Sequence, residues 1–247
     1  MEVHPPEHGI HSWRDFLVHM GTIVLGLLIA IALEQGAEAL HHRHQAKELR
    51  EDLHQEGDQM VSEADQAQQM TLVHLRWLSQ QRKAVMAAAW SNDPIAALPP
   101  SPHRMTWGYP DNPIYRTAQT NGKTAVLSRD ELYAYSDLAA DADWGLLYER
   151  ALEEAADKRL AFERGLPLAS STSPQAAAPI DFPRLSREDL RKYLDLLSEE
   201  TNAALRFRSN CLATRGLAEA VSRGARAPKD LEAAEAQGAH SAEPSPE

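Results

Sequence analysis

The sequence predicts an all-α chain: an N-terminal transmembrane helix continuing into an antiparallel helical bundle, with a disordered C-terminal tail. Three observations carry this. Eighteen consecutive residues, Phe16 to Leu33, contain no Asp, Glu, Lys or Arg. Beyond them, apolar residues recur at steps of three, four and seven over long proline-free stretches, which is the helical period. No stretch shows the strict apolar and polar alternation of a half-buried strand. The 247 residues divide accordingly into a flexible leader (1–11), a transmembrane helix with its flanks (12–40), a helical bundle domain (41–224) with loops near 91–113 and 166–185, and an acidic tail (225–247).

The span comes first. Pro5 and Pro6 exclude helix upstream, Ser12 is placed to cap with Asp15 three residues on, and Trp13 suits a headgroup interface. At about 1.5 Å per residue the apolar run covers about 27 Å, close to the roughly 30 Å hydrocarbon core of a bilayer. Two other readings compete with a retained anchor. Ala37-Glu38-Ala39 fits the small-residue rule for signal-peptide cleavage, but the run is longer than a usual signal core and the segment before it carries one basic side chain, Arg14. A buried helix of a soluble protein normally keeps a polar face, and here only His19 and Thr22 interrupt the apolar surface. The basic residues near the span are Arg14 before it and Arg43, Lys47 and Arg50 after it. Read literally this favours a cytoplasmic C-terminal domain, but large domains are translocated despite such a bias, so the side stays undetermined. Thr22, Gly26 and Ala30 fall on one face at i, i+4 and i+8, a spacing that lets two membrane helices approach closely and makes a homo-oligomer an expectation.

Leu40 to Trp90 lacks proline and is dense in helix formers. Its apolar and small positions are Leu49, Leu53, Met60, Ala64, Ala67, Thr71, Leu75, Leu78, Val85 and Ala89. A proline-rich loop follows. Helix resumes at Tyr115 to Asn121, ends at Gly122, and restarts at Ser128, which forms a capping box with Glu131. Tyr135, Leu138, Ala142, Gly145, Tyr148, Leu152, Ala156 and Leu160 then mark one face of a long helix that Gly165 and Pro167 stop. Ser186 and Asp189 cap a last helix carrying Leu190, Leu194, Leu197, Thr201, Leu205 and Leu212. After Gly224 the Ala-, Glu- and Pro-rich tail has too little apolar surface to fold alone.

Composition removes several function classes. A net charge of -11 argues against nucleic acid as a partner, because such binding needs a basic surface that displaces counterions from phosphates. The single cysteine, Cys211, excludes a disulfide scaffold and reads as a core position. There is no P-loop, G-x-G-x-x-G, G-x-S-x-G or H-E-x-x-H, so neither an enzyme nor a cofactor is expected. His4-Pro5-Pro6-Glu7-His8 matches an H-x-x-E-H string but fails physically, since two prolines prevent the helix that would align its histidines. His41 and His44, at i, i+3 just past the span, are weak metal-ligand candidates beside the plainer reading of an interfacial belt with His42 and Arg43. Asp137, Asp141 and Asp143 lack the glycine of a calcium loop and read as a solvated face. The rings of Trp107, Tyr109, Tyr115, Tyr133, Tyr135, Trp144 and Tyr148 suit either a ligand pocket or packing of the proline-rich loop on the bundle.

The first 50 residues carry a His- and Pro-rich leader, then Ser12-Trp13-Arg14-Asp15-Phe16, then Gly26-Leu27-Leu28-Ile29-Ala30, then Glu34 and a His-rich exit. This region resembles an uncharacterised family of bacterial single-pass membrane proteins. A weaker likeness covers Tyr115 to Tyr135, through Thr117-Ala118-Gln119-Thr120-Asn121-Gly122. The resemblance implies bacterial origin and membrane attachment and brings no activity, ligand or catalytic residue. The resulting expectation is a non-enzymatic protein of the bacterial inner membrane whose partners are the lipid bilayer, a second copy or another protein. Its alternatives are a membrane-anchored small-ligand sensor and a metal-handling protein.

Overall fold

The computed structural model describes residues 13–90, 107–166 and 185–240. Five α-helices account for most of them: α1 (Trp13–Trp90), α2 (Pro113–Thr120), α3 (Arg129–Arg164), α4 (Arg187–Ser222) and α5 (Pro228–His240), with a 3-10 turn at Lys123–Val126. No strand occurs among the described residues. The chain divides into two compact units, Met1–Arg50 and Glu51–Glu247.

In the first unit, the window that is long and apolar enough to cross a membrane has none of its residues buried. Leu17, Ile23, Leu25, Leu27, Leu28, Ile29 and Leu33 all project outward from α1. Ser12, the expected cap, lies outside the described residues, as do the leader histidines.

The second unit is a helical bundle. Asp65 pairs with Arg215 at 2.7 Å and His74 meets Glu200 at 2.9 Å, so α1 and α4 run antiparallel. Asp141 with Asn210 at 3.0 Å and Lys158 with Glu199 at 2.9 Å make α3 and α4 antiparallel too. Hence α1 and α3 are parallel, and the connection between them must return along the bundle. Part of that return is α2. Its first free N–H groups, those of Ile114 and Tyr115, donate to the Glu56 carboxylate of α1 at 2.5 and 3.1 Å. Gly122 then turns the chain with φ 69°, a left-handed conformation that glycine adopts without steric cost.

The expected helix starts hold. Ser128 with Glu131 and Ser186 with Asp189 form reciprocal capping boxes at the heads of α3 and α4. The α1 stripe also holds, with Leu53, Met60, Ala64, Ala67, Thr71, Leu78 and Val85 buried. Two departures matter. Along α3 the buried positions late in the helix are Ala155 and Arg159 rather than Ala156 and Leu160, and along α4 they are Tyr193, Glu200 and Ala204 rather than Leu194, Thr201 and Leu205. Of the remaining expected positions, Tyr135, Leu138, Ala142, Gly145, Leu152, Leu190, Leu197 and Leu212 are buried, so the departures are local, and at Arg159 and Glu200 a charged side chain takes the inward position.

The tail also departs from expectation. From 225 onward a disordered segment is predicted, yet Pro228–His240 forms α5 against α4. Its apolar surface is indeed small, with Leu231 the buried side chain. Close backbone approach supplies the rest: a Cβ on Gly216 would stand 2.5 Å from the Ala234 carbonyl oxygen, and one on Gly238 would collide with the Leu212 carbonyl. Residues 241–247 lie outside the described residues. Gly216→Val should force α5 away from α4, lowering stability by about 1–3 kcal/mol and raising amide hydrogen exchange across 228–240. Unchanged protection there would refute this packing.

Candidate functional site

Three places in the second unit concentrate polar or exposed aromatic chemistry. The first is a closed ionic centre. Glu200 of α4 has no solvent exposure, and it receives His74 of α1 on Oε1 at 2.9 Å and Arg159 Nε of α3 on Oε2 at 2.5 Å. Arg159 continues to Glu163 at 2.6 Å, and Glu163 accepts from the Tyr193 hydroxyl at 2.6 Å. Aromatic rings seal the group: Trp77 lies 4.6 Å from the Arg159 guanidinium, and Trp107 stands edge-on to His74 with centroids 5.0 Å apart. Burial acts to raise the Glu200 pKa, but the hydrogen bonds from His74 and Arg159 outweigh it and hold the carboxyl below its usual range. As an ionised acceptor it takes the Nε2 proton of His74 as donor, which leaves His74 Nδ1 without a hydrogen-bond partner. Enclosed on all sides, this centre can clamp three helices together; it offers no surface to a substrate.

The second is a polar seam between α3 and α4. Asp141 accepts from Asn210 at 3.0 Å and from Thr214, and the Tyr109 hydroxyl sits within hydrogen-bond distance of Asn210 and Thr214. The Tyr109 ring packs against Gly145, where any Cβ would overlap it. Burial pushes Asp141 up to about 6, hydrogen bonds from Thr214 and Asn210 pull the other way, and the charge of Glu235 on α5 adds to the rise. Cys211 is buried beside this seam, and burial pushes its thiol well above the usual range, so it stays protonated and unreactive.

The third is a groove on the outside of α3 and α4. Trp144, Leu147, Tyr148, Ala151 and Ala155 line one wall, Asn202, Ala203 and Arg206 the other, and Glu154, Lys158 and Glu199 close one end. Trp144 is 59% exposed and Leu147 51%. The other large apolar side chains exposed on the described part of α3 and α4 are Leu132, Tyr133 and Leu205.

The residues singled out from sequence distribute as follows. Thr22, Gly26 and Ala30 lie on the exposed surface of the first unit; nothing stands within 4 Å of a Cβ on Gly26, and Thr22 donates to the Val18 carbonyl. His41 and His44 are exposed and face Gln45 and Glu48 respectively, each one turn on. Among the described residues no group of three or more His, Cys, Asp or Glu is placed to hold a metal. Of the aromatic set, Trp107, Tyr109, Tyr115 and Tyr135 are buried in packing, and Tyr133 and Trp144 are exposed. Sequence reasoning missed the joint placement of His74, Arg159 and Glu200. The signal was present, because each falls in phase with apolar neighbours: Thr71, His74 and Leu78; Leu152, Ala155 and Arg159; Leu197, Glu200 and Ala204.

Comparisons of the chain with protein-family profiles, with curated proteins and with solved structures return no match.

Glu200→Ala should strip the buried His74 and the Nε of Arg159 of their shared acceptor, leaving Arg159 only Glu163, and cost about 3–5 kcal/mol in urea unfolding. A loss below about 1 kcal/mol would show that the clamp contributes no more than a surface pair. At Asp141 the folded pKa lies above the ordinary 3.8, so its contribution is present below about pH 4 and is lost as pH rises through about 6. Asp141→Asn should therefore match the parent near pH 4 and exceed it in stability at pH 7.5, by about 1–3 kcal/mol. Equal stability of the two proteins at pH 7.5 would contradict that burial effect.

Proposed function

We propose that the chain is a non-enzymatic, single-pass protein of the bacterial inner membrane, anchored by its apolar N-terminal helix, whose helical domain associates with protein through the α3 and α4 groove. Anchoring is supported by an apolar window with no buried residue, since so much uncovered apolar surface needs lipid around it. Association is carried by one observation, the exposed Trp144 and Leu147 over a floor of Ala151, Ala155 and Ala203. Large exposed aromatic and aliphatic side chains over small residues, ringed by charge, have the anatomy of an interface core and rim. The bacterial setting rests on the resemblance of the first 50 residues, and the buried ionic centre supports a structural role for the most reactive side chains.

Two measurements test this reading. The full chain should resist alkaline carbonate extraction from membranes, and Leu25→Arg with Leu28→Arg should release it, each arginine opposing insertion by about 2.5–3.5 kcal/mol. A photo-crosslinking amino acid at Leu147 should yield protein adducts in membranes, while the same group at exposed Glu153, on the opposite side of α3, should not. Absence of any protein adduct at Leu147 would refute association through this face.

A further inference from the structure

Little apolar surface holds α5 on α4. Its buried side chain is Leu231, and the contact is otherwise carried by close backbone approach: Gly216 meets the Ala234 carbonyl, and Gly238 meets the backbone of Leu212 and Ala213. The connection between the two helices, residues 223–227, includes Gly224 at φ 95°. A short helix with so few buried groups opens at a lower free energy than the bundle it leaves.

Like charges oppose this contact. Asp137 and Asp141 of α3 are half-buried, and Glu232 and Glu235 lie about one turn apart on α5. These carboxylates act on one another across the two helices, Asp137 with Glu232 and Glu235, and Asp141 with Glu235. Every charge acting on Asp137 and Glu235 is a carboxylate. From α4, Asp141 receives the neutral donors Asn210 and Thr214, with the protonated Cys211 beside them and the Tyr109 hydroxyl against both. The cations at this end of α4 are committed elsewhere. Arg215, next to Gly216, pairs with Asp65 of α1 at 2.7 Å and Glu219 at 3.5 Å, and Arg223 is held by Glu219. In the connection, Arg226 donates to the Val221 and Ala225 carbonyls at 2.7 and 2.6 Å and lies over the Tyr135 ring. Lys229, Asp230 and His240, the other charged or titratable groups of α5, are exposed.

Burial raises the pKa of Asp137, Asp141 and Glu235, the neighbouring carboxylates raise them further, and Asp141 reaches about 6. Undocking α5 returns water to these groups and separates them, so docking takes up protons. The contribution of Asp141 is full below about pH 4 and is lost as pH rises through about 6.

We propose that α5 is a proton-controlled latch. The facing carboxylates Asp137 and Asp141 of α3 and Glu232 and Glu235 of α5 let it close on α4 in acid and loosen it at neutral pH, uncovering Leu212, Ala213 and Gly216 while the other helices stay assembled.

Amide hydrogen exchange of the full chain in detergent micelles, corrected for the intrinsic pH dependence of exchange, reads the latch directly. From about pH 5 to about pH 7.5, protection across 228–240 should fall about tenfold, the equivalent of one pKa unit, with α3 and α4 remaining the better protected at both values. Glu232→Gln with Glu235→Gln changes exposed side chains alone and should reduce that fall to about threefold or less. Glu235→Lys, a cation facing Asp137 and Asp141, should raise the protection of α5 at pH 7.5 about threefold over the parent. A flat profile in the parent, or a fall that persists in full in the glutamine variant, overturns the proposal. Equal loss of protection along α3 and α4 also overturns it, because the bundle rather than the latch would then be opening.

Discussion

The Glu200 carboxylate, shared by His74 of α1 and Arg159 of α3, is the constraint on which the bundle depends. It is the point where the three long helices meet through charge. Such a centre is costly to bury, and only complete pairing offsets that cost. The surroundings meet most of the demand: both Glu200 oxygens are used, Arg159 reaches on to Glu163, and Trp77 and Trp107 pack on the group, with His74 Nδ1 the polar atom left unmatched. The network fixes the level of α1 and α3 against α4 by its hydrogen-bond reach, and the neighbouring Leu78, Val85, Leu190 and Leu197 reinforce it by close packing.

The same two helices carry the exposed groove. Arg159 and Glu200 take inward positions among Leu138, Leu152, Leu190, Leu197 and Leu212, which stay buried, so the inward face includes charge as well as leucine. Leu205 is exposed, and Leu160 and Leu194 are half-buried. Trp144 and Leu147 line the uncovered groove, which Glu154, Lys158 and Glu199 close at one end.

A second device recurs where helices must lie unusually close. Gly145 accepts the Tyr109 ring, and Gly216 and Gly238 let the backbones of α4 and α5 meet. In each case the absence of a side chain creates the contact. Composition scales count apolar area and so undervalue such contacts. That is why residues 228–240, rich in Ala and poor in large apolar side chains, look unable to fold and yet dock as a helix with Leu231 as anchor.

Much of the architecture is legible in the sequence because it depends on local physics. The apolar span at Phe16 to Leu33, the helical period of α1, the capping boxes at Ser128 and Ser186 and the turn at Gly122 follow from side-chain hydropathy and short-range hydrogen bonding. The inward placement of His74, Arg159 and Glu200 does not. Taken singly, a charged residue in phase with apolar neighbours looks like an interruption, and only a partner from another helix converts it into a core position. The groove at Trp144 and Leu147 and the docking of α5 are of the same kind. They arise from contacts between residues distant in the chain, so the tertiary structure alone decided them.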